Sequence, residues 1–222
     1  FNQQLGATSA VLNRVDAAGG LSQIMGKLTA NGQVYLINPN GILFNNGATV
    51  NVNSLIASTL NISDNLFNKG FLSSTDGSAA FDSTVASNGS AAFNGTTGYI
   101  QVNAGAMLTA ASGGKIMLFA PNIENNGLIK TPDGQTLLAA GQKVYLAASA
   151  DSNLRGLLVE VDNGGTTTNT NLGSIIAERG NITLACIAVN QNGRVRATTS
   201  ITANGSIKIP ANETAAPIRA KT

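Results

Sequence analysis

A glycine followed by alternating aliphatic residues recurs along this chain, and that recurrence limits the fold more than any other feature. The copies begin at Gly32 (Val34, Leu36), Gly98 (Ile100, Val102), Gly114 (Ile116, Leu118), Gly180 (Ile182, Leu184) and Gly205 (Ile207, Ile209). Alternation with period two puts each aliphatic pair on one face of a strand. The residues between, among them Gln33, Gln101, Lys115, Asn181 and Lys208, are expected to face water. Gly127, Gly134 and Gly141 stand seven residues apart, and the pairs Gly105/Gly127, Gly114/Gly134, Gly134/Gly156 and Gly173/Gly193 are 20 to 22 apart. A fixed period in this range signals a solenoid.

Three strands of four or five residues plus three corners make one such turn, with each strand stacked parallel on its counterpart in the next. The expectation is therefore an all-β fold, a parallel β-helix of roughly nine or ten rungs at about 20 residues each. Nine Asn-Gly dipeptides, taken singly, suggest two-residue hairpins, but the regular spacing favours corners of a coil. Gly and Asn supply residues that tolerate φ > 0 there, and stacked Asn side chains are expected to form ladders. No long segment shows 3.6-residue periodicity with caps.

The sharpest corner is Asn38-Pro39-Asn40-Gly41-Ile42, set between the apolar runs Val34–Ile37 and Ile42–Phe44. Pro39 fixes its own φ and biases Asn38 toward extended geometry, while Asn40-Gly41 supports a tight reversal. It reads as a rigid turn that sets register, as a surface touched by a receptor, or as both.

The repeat lapses between Leu60 and Thr97, where Ser, Thr, Asn, Gly and Ala crowd together. Phe67, Phe71, Phe81 and Phe93, four of the seven Phe, lie in this stretch. Large rings suit covering a solenoid flank better than filling its narrow core, so 61–97 is expected to be an extra-helical insertion with short strands of its own. Residues 1–209 then form a single β-helical domain, and 210–222, with Pro210 and Pro217, an irregular tail or linker.

Composition agrees with a thin, stacked interior. Of 222 residues 43% are hydrophobic but only 5% aromatic, and charged residues are 11% with a net charge of +2. Thirteen scattered Lys and Arg make no phosphate-binding cluster, so nucleic acid is not an expected partner. No 18-residue apolar stretch exists to span a membrane as a helix. The chain opens at Phe1 with neither Met nor a charged-then-apolar leader, so a fragment or a mature product is expected.

The opening Phe1-Asn2-Gln3-Gln4, the run Ser9 to Val15, the segment Gly32 to Phe44, then Leu55 to Leu60 and Leu137 to Leu146 together resemble the two-partner secretion (TPS) domain of filamentous-haemagglutinin-type exoproteins. The resemblance covers roughly Phe1 to Ile209, and its first sixty residues are the specific part. It implies a right-handed parallel β-helix near the N-terminus of a large exported Gram-negative adhesin or haemagglutinin-like protein. It also implies passage through the periplasm to the outside or the cell surface, and recognition by an outer-membrane β-barrel transporter. Partners of the whole exoprotein would be a host or neighbouring-cell surface. Family members include adhesins, cytolysins, contact-dependent toxins and haem-acquisition proteins. The family's domain normally starts earlier, with capping strands and a further Asn-Pro-Asn motif that this chain lacks; an uncapped solenoid end exposes a strand edge. Asn38, Pro39, Asn40, Gly41 and Ile42 are the candidate transporter-recognition or folding motif.

Enzyme chemistry is hard to build from these residues. There is no His, and the lone Cys186 lacks a base partner and alternates onto the face of Ile182 and Leu184, as a core residue would. Glu160 and Asp162 form the one alternating carboxylate pair, which supports a rival reading as a β-helical carbohydrate-binding or carbohydrate-cleaving protein. Arg155 beside them favours a solvated cluster instead. Asp76-Gly77 and Asp133-Gly134 are turn signals without Ca²⁺-loop spacing. No cofactor and no metal are expected, and the chain is expected not to be an enzyme.

Overall fold

Short β-branched and aliphatic runs of this chain cannot bury their apolar faces singly; they do so by stacking. The computed structural model describes residues 2–3, 6–72, 78–85, 98–148, 156–170, 172–198 and 206–208. It is the right-handed parallel β-helix expected from the sequence, built from three parallel sheets. Sheet one stacks Ala10–Arg14, Gln33–Ile37, Ser54–Ser58, Lys115–Ala120, Gln135–Ala140, Asn181–Ala185 and Ser206–Lys208. Sheet two stacks Ser22–Ile24, Ile42–Phe44, Tyr99–Val102, Asn122–Asn125, Thr166–Asn169 and Ala188–Gln191. Sheet three stacks Asn2–Gln3, Lys27–Ala30, Thr49–Val52, Met107–Ala110, Leu128–Lys130, Ser174–Glu178 and Arg194–Thr198.

Among the described residues, six coils contribute a strand to all three sheets, fewer than the nine or ten expected. Two excursions account for the difference. After Ser58 the chain leaves the coil and returns at Tyr99; after Ala140 it leaves again and returns at Thr166. The second excursion is the hairpin Lys143–Ala148 and Leu157–Asp162, paired antiparallel, and Phe81–Asp82 of the first excursion adds to its edge. Gly156 therefore belongs to the hairpin, and its 22-residue offset from Gly134 is not a rung. By contrast, Gly127, Gly134 and Gly141 mark successive corners around the stack. Gly114 and Gly134 each precede a sheet-one strand in matching register, Lys115 opposite Gln135.

The inward residues form one continuous core: Ile42, Phe44, Ile100 and Val102 from sheet two, Leu55, Ile116, Leu118 and Leu138 from sheet one, and Val50, Leu108 and Ile129 from sheet three. Phe44 is buried inside this column, although large rings are expected to suit a covering flank better than the core. Further along, the same sheet-two position holds Asn125 and Asn169, both buried, and Asn125 Nδ2 donates to Asn169 Oδ1 at 2.8 Å. One corner outward, Asn103 Nδ2 donates to Asn45 Oδ1 at 3.0 Å. These are the expected ladders.

A second core lies outside sheet one. Tyr35, Ile37, Ile56, Met117, Phe119, Leu137 and Ala139 point away from the coil and are buried under Leu60, Ile62, Phe81, Val144 and Leu157. The expectation that intervening residues face water fails on this sheet: Asn181 and Gln135 are buried too. Phe67 and Phe71 pack at the margin of this cluster, and Phe93 lies outside the described residues. The helix Asp64–Lys69 starts on Ser63, whose Oγ accepts from Leu66 N at 3.2 Å, and ends at Gly70 with φ 87°. It sets Phe67 edge-on to Tyr35, with ring centroids 5.0 Å apart. Arg14, on the first sheet-one strand to complete a coil, ties this excursion down: it donates to Asn61 Oδ1 (2.9 Å), Asp64 Oδ1 (2.9 Å) and the Ile62 carbonyl (2.7 Å). Residues 210–222, read as a tail, lie outside the described residues.

Candidate functional site

The Asn38 corner is a junction of three coils. Asn38 has no solvent exposure, and a buried amide needs every donor and acceptor paired. Its Nδ2 donates to the Gly20 carbonyl at 2.9 Å and to Ser22 Oγ at 2.8 Å, both in the preceding coil. Its Oδ1 accepts from Asn40 N at 2.9 Å, the side-chain turn that Asn favours. Its backbone N–H donates to the Ser58 carbonyl at 2.9 Å, in the following coil, and its carbonyl accepts from Gly41 N at 3.1 Å.

Pro39 is buried, Gly41 is buried, and Ile42 fills the core column between Ser22 and Ile100. Only Asn40 is exposed. Its Nδ2 donates to the Gly19 carbonyl at 2.5 Å, so even this side chain is held on the preceding coil. Gly41, at φ 116°, is the residue with the left-handed backbone; Asn40 is not. A Cβ at Gly41 would sit 2.8 Å from Leu21 Cδ1 and 3.0 Å from the Tyr99 carbonyl oxygen. A Cβ at Gly98 would collide with the Pro39 carbonyl oxygen and Thr59. The corner thus seats the point where the first excursion rejoins the coil. Sequence reasoning missed that contact, because Gly98 is far from Pro39 in the chain and was read only as the start of a strand.

The other flagged residues are placed elsewhere. Glu160 and Asp162 share a face of the hairpin, exposed, with Tyr145 and Lys143 as their respective cross-strand partners. Arg155 and Asp76 lie outside the described residues. Asp133 turns the chain at φ 51° and accepts from Arg179 Nε at 2.8 Å and Ser112 Oγ at 2.9 Å, an ionic clasp across coils. Cys186 sits in the core with Ile182 and Leu184, and burial pushes its thiol pKa up, which makes it a poor nucleophile at neutral pH. Among the described residues no group of three His, Cys, Asp or Glu is placed to hold a metal ion. No helix among them is long and apolar enough to cross a membrane.

Compared with known protein families, residues 1–220 match the TPS secretion domain. The chain belongs to this family. The TPS family is one of secretion domains of exoproteins that leave the cell by way of the periplasm, not a family of enzymes. The fold of this TPS domain is similar to that of the HMW1 secretion domain from Haemophilus influenzae, with a TM-score of 0.72 and 28% identity. That match spans 94% of this chain and 51% of the other. Two Heme/hemopexin-binding proteins of Haemophilus influenzae match over short stretches. One, from strain Rd, is 54% identical over 57 residues, which is 26% of this chain and 6% of the relative. The other is 60% identical over 47 residues, 21% of this chain and 5% of the relative. The TPS domain therefore spans a small fraction of the curated relatives it matches.

Proposed function

We propose that this TPS domain is the export module of a large adhesin- or haemagglutinin-like exoprotein, recognised by an outer-membrane β-barrel transporter and serving as the folded start on which later coils stack. The supporting observation is the Asn38 junction. One fully buried amide side chain joins the coil before to its own, and its backbone joins its own to the coil after. Loss of that side chain would remove its hydrogen bonds to the Gly20 carbonyl, Ser22 Oγ and the Asn40 N–H, at about 0.5–1.5 kcal/mol for each.

In this reading the division of labour follows burial. Asn38, Pro39, Gly41 and Ile42 build the corner from inside, and Asn40 is the one member a transporter touches. Parallel strand edges presented in register suit recognition by added-strand pairing. The two Heme/hemopexin-binding relatives make haem acquisition the competing role for the exoprotein as a whole. The carbohydrate-cleaving alternative gains nothing from the hairpin, where Glu160 and Asp162 are exposed and set opposite Lys143 and Tyr145.

A secretion assay in cells carrying the cognate transporter tests the proposal. Asn38→Ala is expected to abolish export of the full chain. Asn40→Lys is expected to reduce export while costing the purified domain only its hydrogen bond to Gly19, at most about 1 kcal/mol. Normal export of Asn38→Ala would sink the role given to the corner, and a larger destabilisation in Asn40→Lys would move that residue from contact to scaffold.

A further inference from the structure

The Asn-Gly pairs that turn this coil are also open to a reaction that needs no enzyme. The glycine backbone N attacks the Asn side-chain carbon Cγ, ammonia leaves, and a five-membered succinimide forms. Water then opens the ring at either carbonyl and gives aspartate or isoaspartate. Glycine favours the attack because it has no Cβ to hinder the approach. Two structural conditions remain. The glycine N–H must be free of an acceptor, since it has to lose its proton, and the Asn amide must be free to swing onto it. Six of the nine Asn-Gly pairs lie among the described residues, and they differ sharply on both conditions.

Five of the six are held. Gly41 N donates to the Asn38 carbonyl at 3.1 Å, and Asn40 Nδ2 is fastened to the Gly19 carbonyl. Gly47 N donates to the Gly105 carbonyl at 3.3 Å, and Gly193 N to the Asn169 carbonyl at 2.9 Å. Gly127 N donates to Asn125 Oδ1 at 3.2 Å. Asn126 is gripped at both ends of its amide, Nδ2 donating to Glu124 Oε1 at 2.7 Å and Oδ1 accepting from Thr170 Oγ1. Asn31 Oδ1 accepts from Gly6 N at 3.0 Å.

Asn163-Gly164 meets both conditions. Asn163 is exposed, and neither its side chain nor Gly164 N has a hydrogen-bond partner among the described residues. Its one bond is made by the backbone, where Asn163 N donates to Asp162 Oδ1 at 2.8 Å. The corner is fixed on either side of the pair: the Asp162 carbonyl accepts from Gln142 N at 3.0 Å, and Gly165 N donates to the Ala140 carbonyl at 2.8 Å. We infer that Asn163 is a site of spontaneous deamidation, converted to aspartate and isoaspartate through a succinimide with Gly164 ahead of the other five pairs. The exchange takes up one water and releases one ammonia, with no change of oxidation state. Base removes the Gly164 amide proton, so the rate rises with pH. Either product sets a second carboxylate beside Asp162. Isoaspartate also carries the chain through the side-chain carbon, which adds a backbone atom where the hairpin rejoins sheet two and loosens that junction.

The purified full chain, aged in heavy-oxygen water at neutral and mildly alkaline pH, reports the reaction directly. Peptide mapping by mass spectrometry locates the incorporated label, and protein isoaspartyl methyltransferase scores isoaspartate. In the folded chain, label is expected at Asn163 roughly tenfold faster than at Asn40, Asn126 or Asn192, whose pairs must first break a hydrogen bond. Unfolding in urea is expected to bring these sites to similar rates. Gly164→Ala is expected to slow the reaction at Asn163 roughly tenfold. A Cβ there would stand 2.7 Å from Ile187 Cγ1, so the circular dichroism of this variant is compared with the parent. Should it misfold, the ranking of sites in the parent chain decides alone. Label reaching Asn126 or Asn192 as fast as Asn163 in the folded chain, no label at Asn163, or a parent-like rate in folded Gly164→Ala overturns the assignment. None of these readouts depends on export.

Discussion

Sheets one and two run in parallel strands around the same core, yet one is buried on both faces and the other on only one. In Ser54–Ser58, Gln135–Ala140 and Asn181–Ala185 every residue is buried. In Tyr99–Val102, Asn122–Asn125 and Thr166–Asn169 burial alternates strictly. The rung itself does not cause the difference; the outward residues and what covers them do. Tyr35, Ile56, Met117, Phe119 and Leu137 make an apolar outer surface, and the two excursions cover it. Gln101, Glu124 and Thr168 make a surface that water satisfies. A β-helix is in this sense a one-core solenoid to which insertions add a second, lateral core where the sequence asks for one.

The largest expected contrast comes from removing a ring from the lateral core. Phe119 is fully buried, with its ring 4.7 Å from that of Phe81. Phe119→Ala is expected to destabilise the domain by about 3–5 kcal/mol, from lost transfer energy and the cavity left behind. Gln101→Ala, the corresponding test on sheet two, is expected to stay within about 0.5 kcal/mol. Denaturant melts of the two variants measure this directly. Equal costs would mean that the lateral core does not contribute to the cooperative unit.

Period-two alternation made the coils readable. Gly32, Gly114 and Gly180 all head strands of sheet one, and the apolar partners Val34, Ile116 and Ile182 all point inward. The lateral core was only half readable. Phe67, Phe71 and Phe81 announced a cover, but Tyr35, Met117 and Leu137 fall on positions that alternation assigns to solvent. The second excursion escaped because Lys143–Ala148 alternates like any strand; nothing local to a strand says whether its partner is parallel or antiparallel. The corner stood out through Asn38-Pro39-Asn40-Gly41, whereas its contact with Gly98 depends on where a 40-residue excursion rejoins the stack, which no local pattern records.

A pH titration sharpens the same contrast from the side of sheet one. Tyr35 lies under Phe67, and burial pushes its phenol from the ordinary 10.0 up to about 12. The folded state therefore favours the neutral form. Below pH 10 the phenol is neutral in both folded and unfolded chains, and its contribution is fully present. Between pH 10 and about 12 the unfolded chain ionises first, so stability falls by about 2–3 kcal/mol across that window. Tyr35→Phe is expected to remove this step from the alkaline stability profile. A profile unchanged by the substitution would show that water reaches the phenol beneath the helix.

The smallest effect probes how the cover is fastened. Gln135 is buried on sheet one, and its amide side chain mimics a strand partner. Nε2 donates to the Leu157 carbonyl at 3.0 Å, and Oε1 accepts from Leu157 N at 2.8 Å. Leu157 opens the returning strand of the hairpin, so this pair joins the lateral layer to the coil where no backbone ladder does. Gln135→Ala leaves both Leu157 groups unpaired and is expected to cost about 1–3 kcal/mol. The loss should be local. Hydrogen exchange is expected to quicken along Lys143–Ala148 and Leu157–Asp162 while Tyr99–Val102 and Asn122–Asn125 keep their protection. Faster exchange in sheet two as well would mean that cover and coil open as one unit, and that the lateral core is part of the solenoid rather than laid upon it.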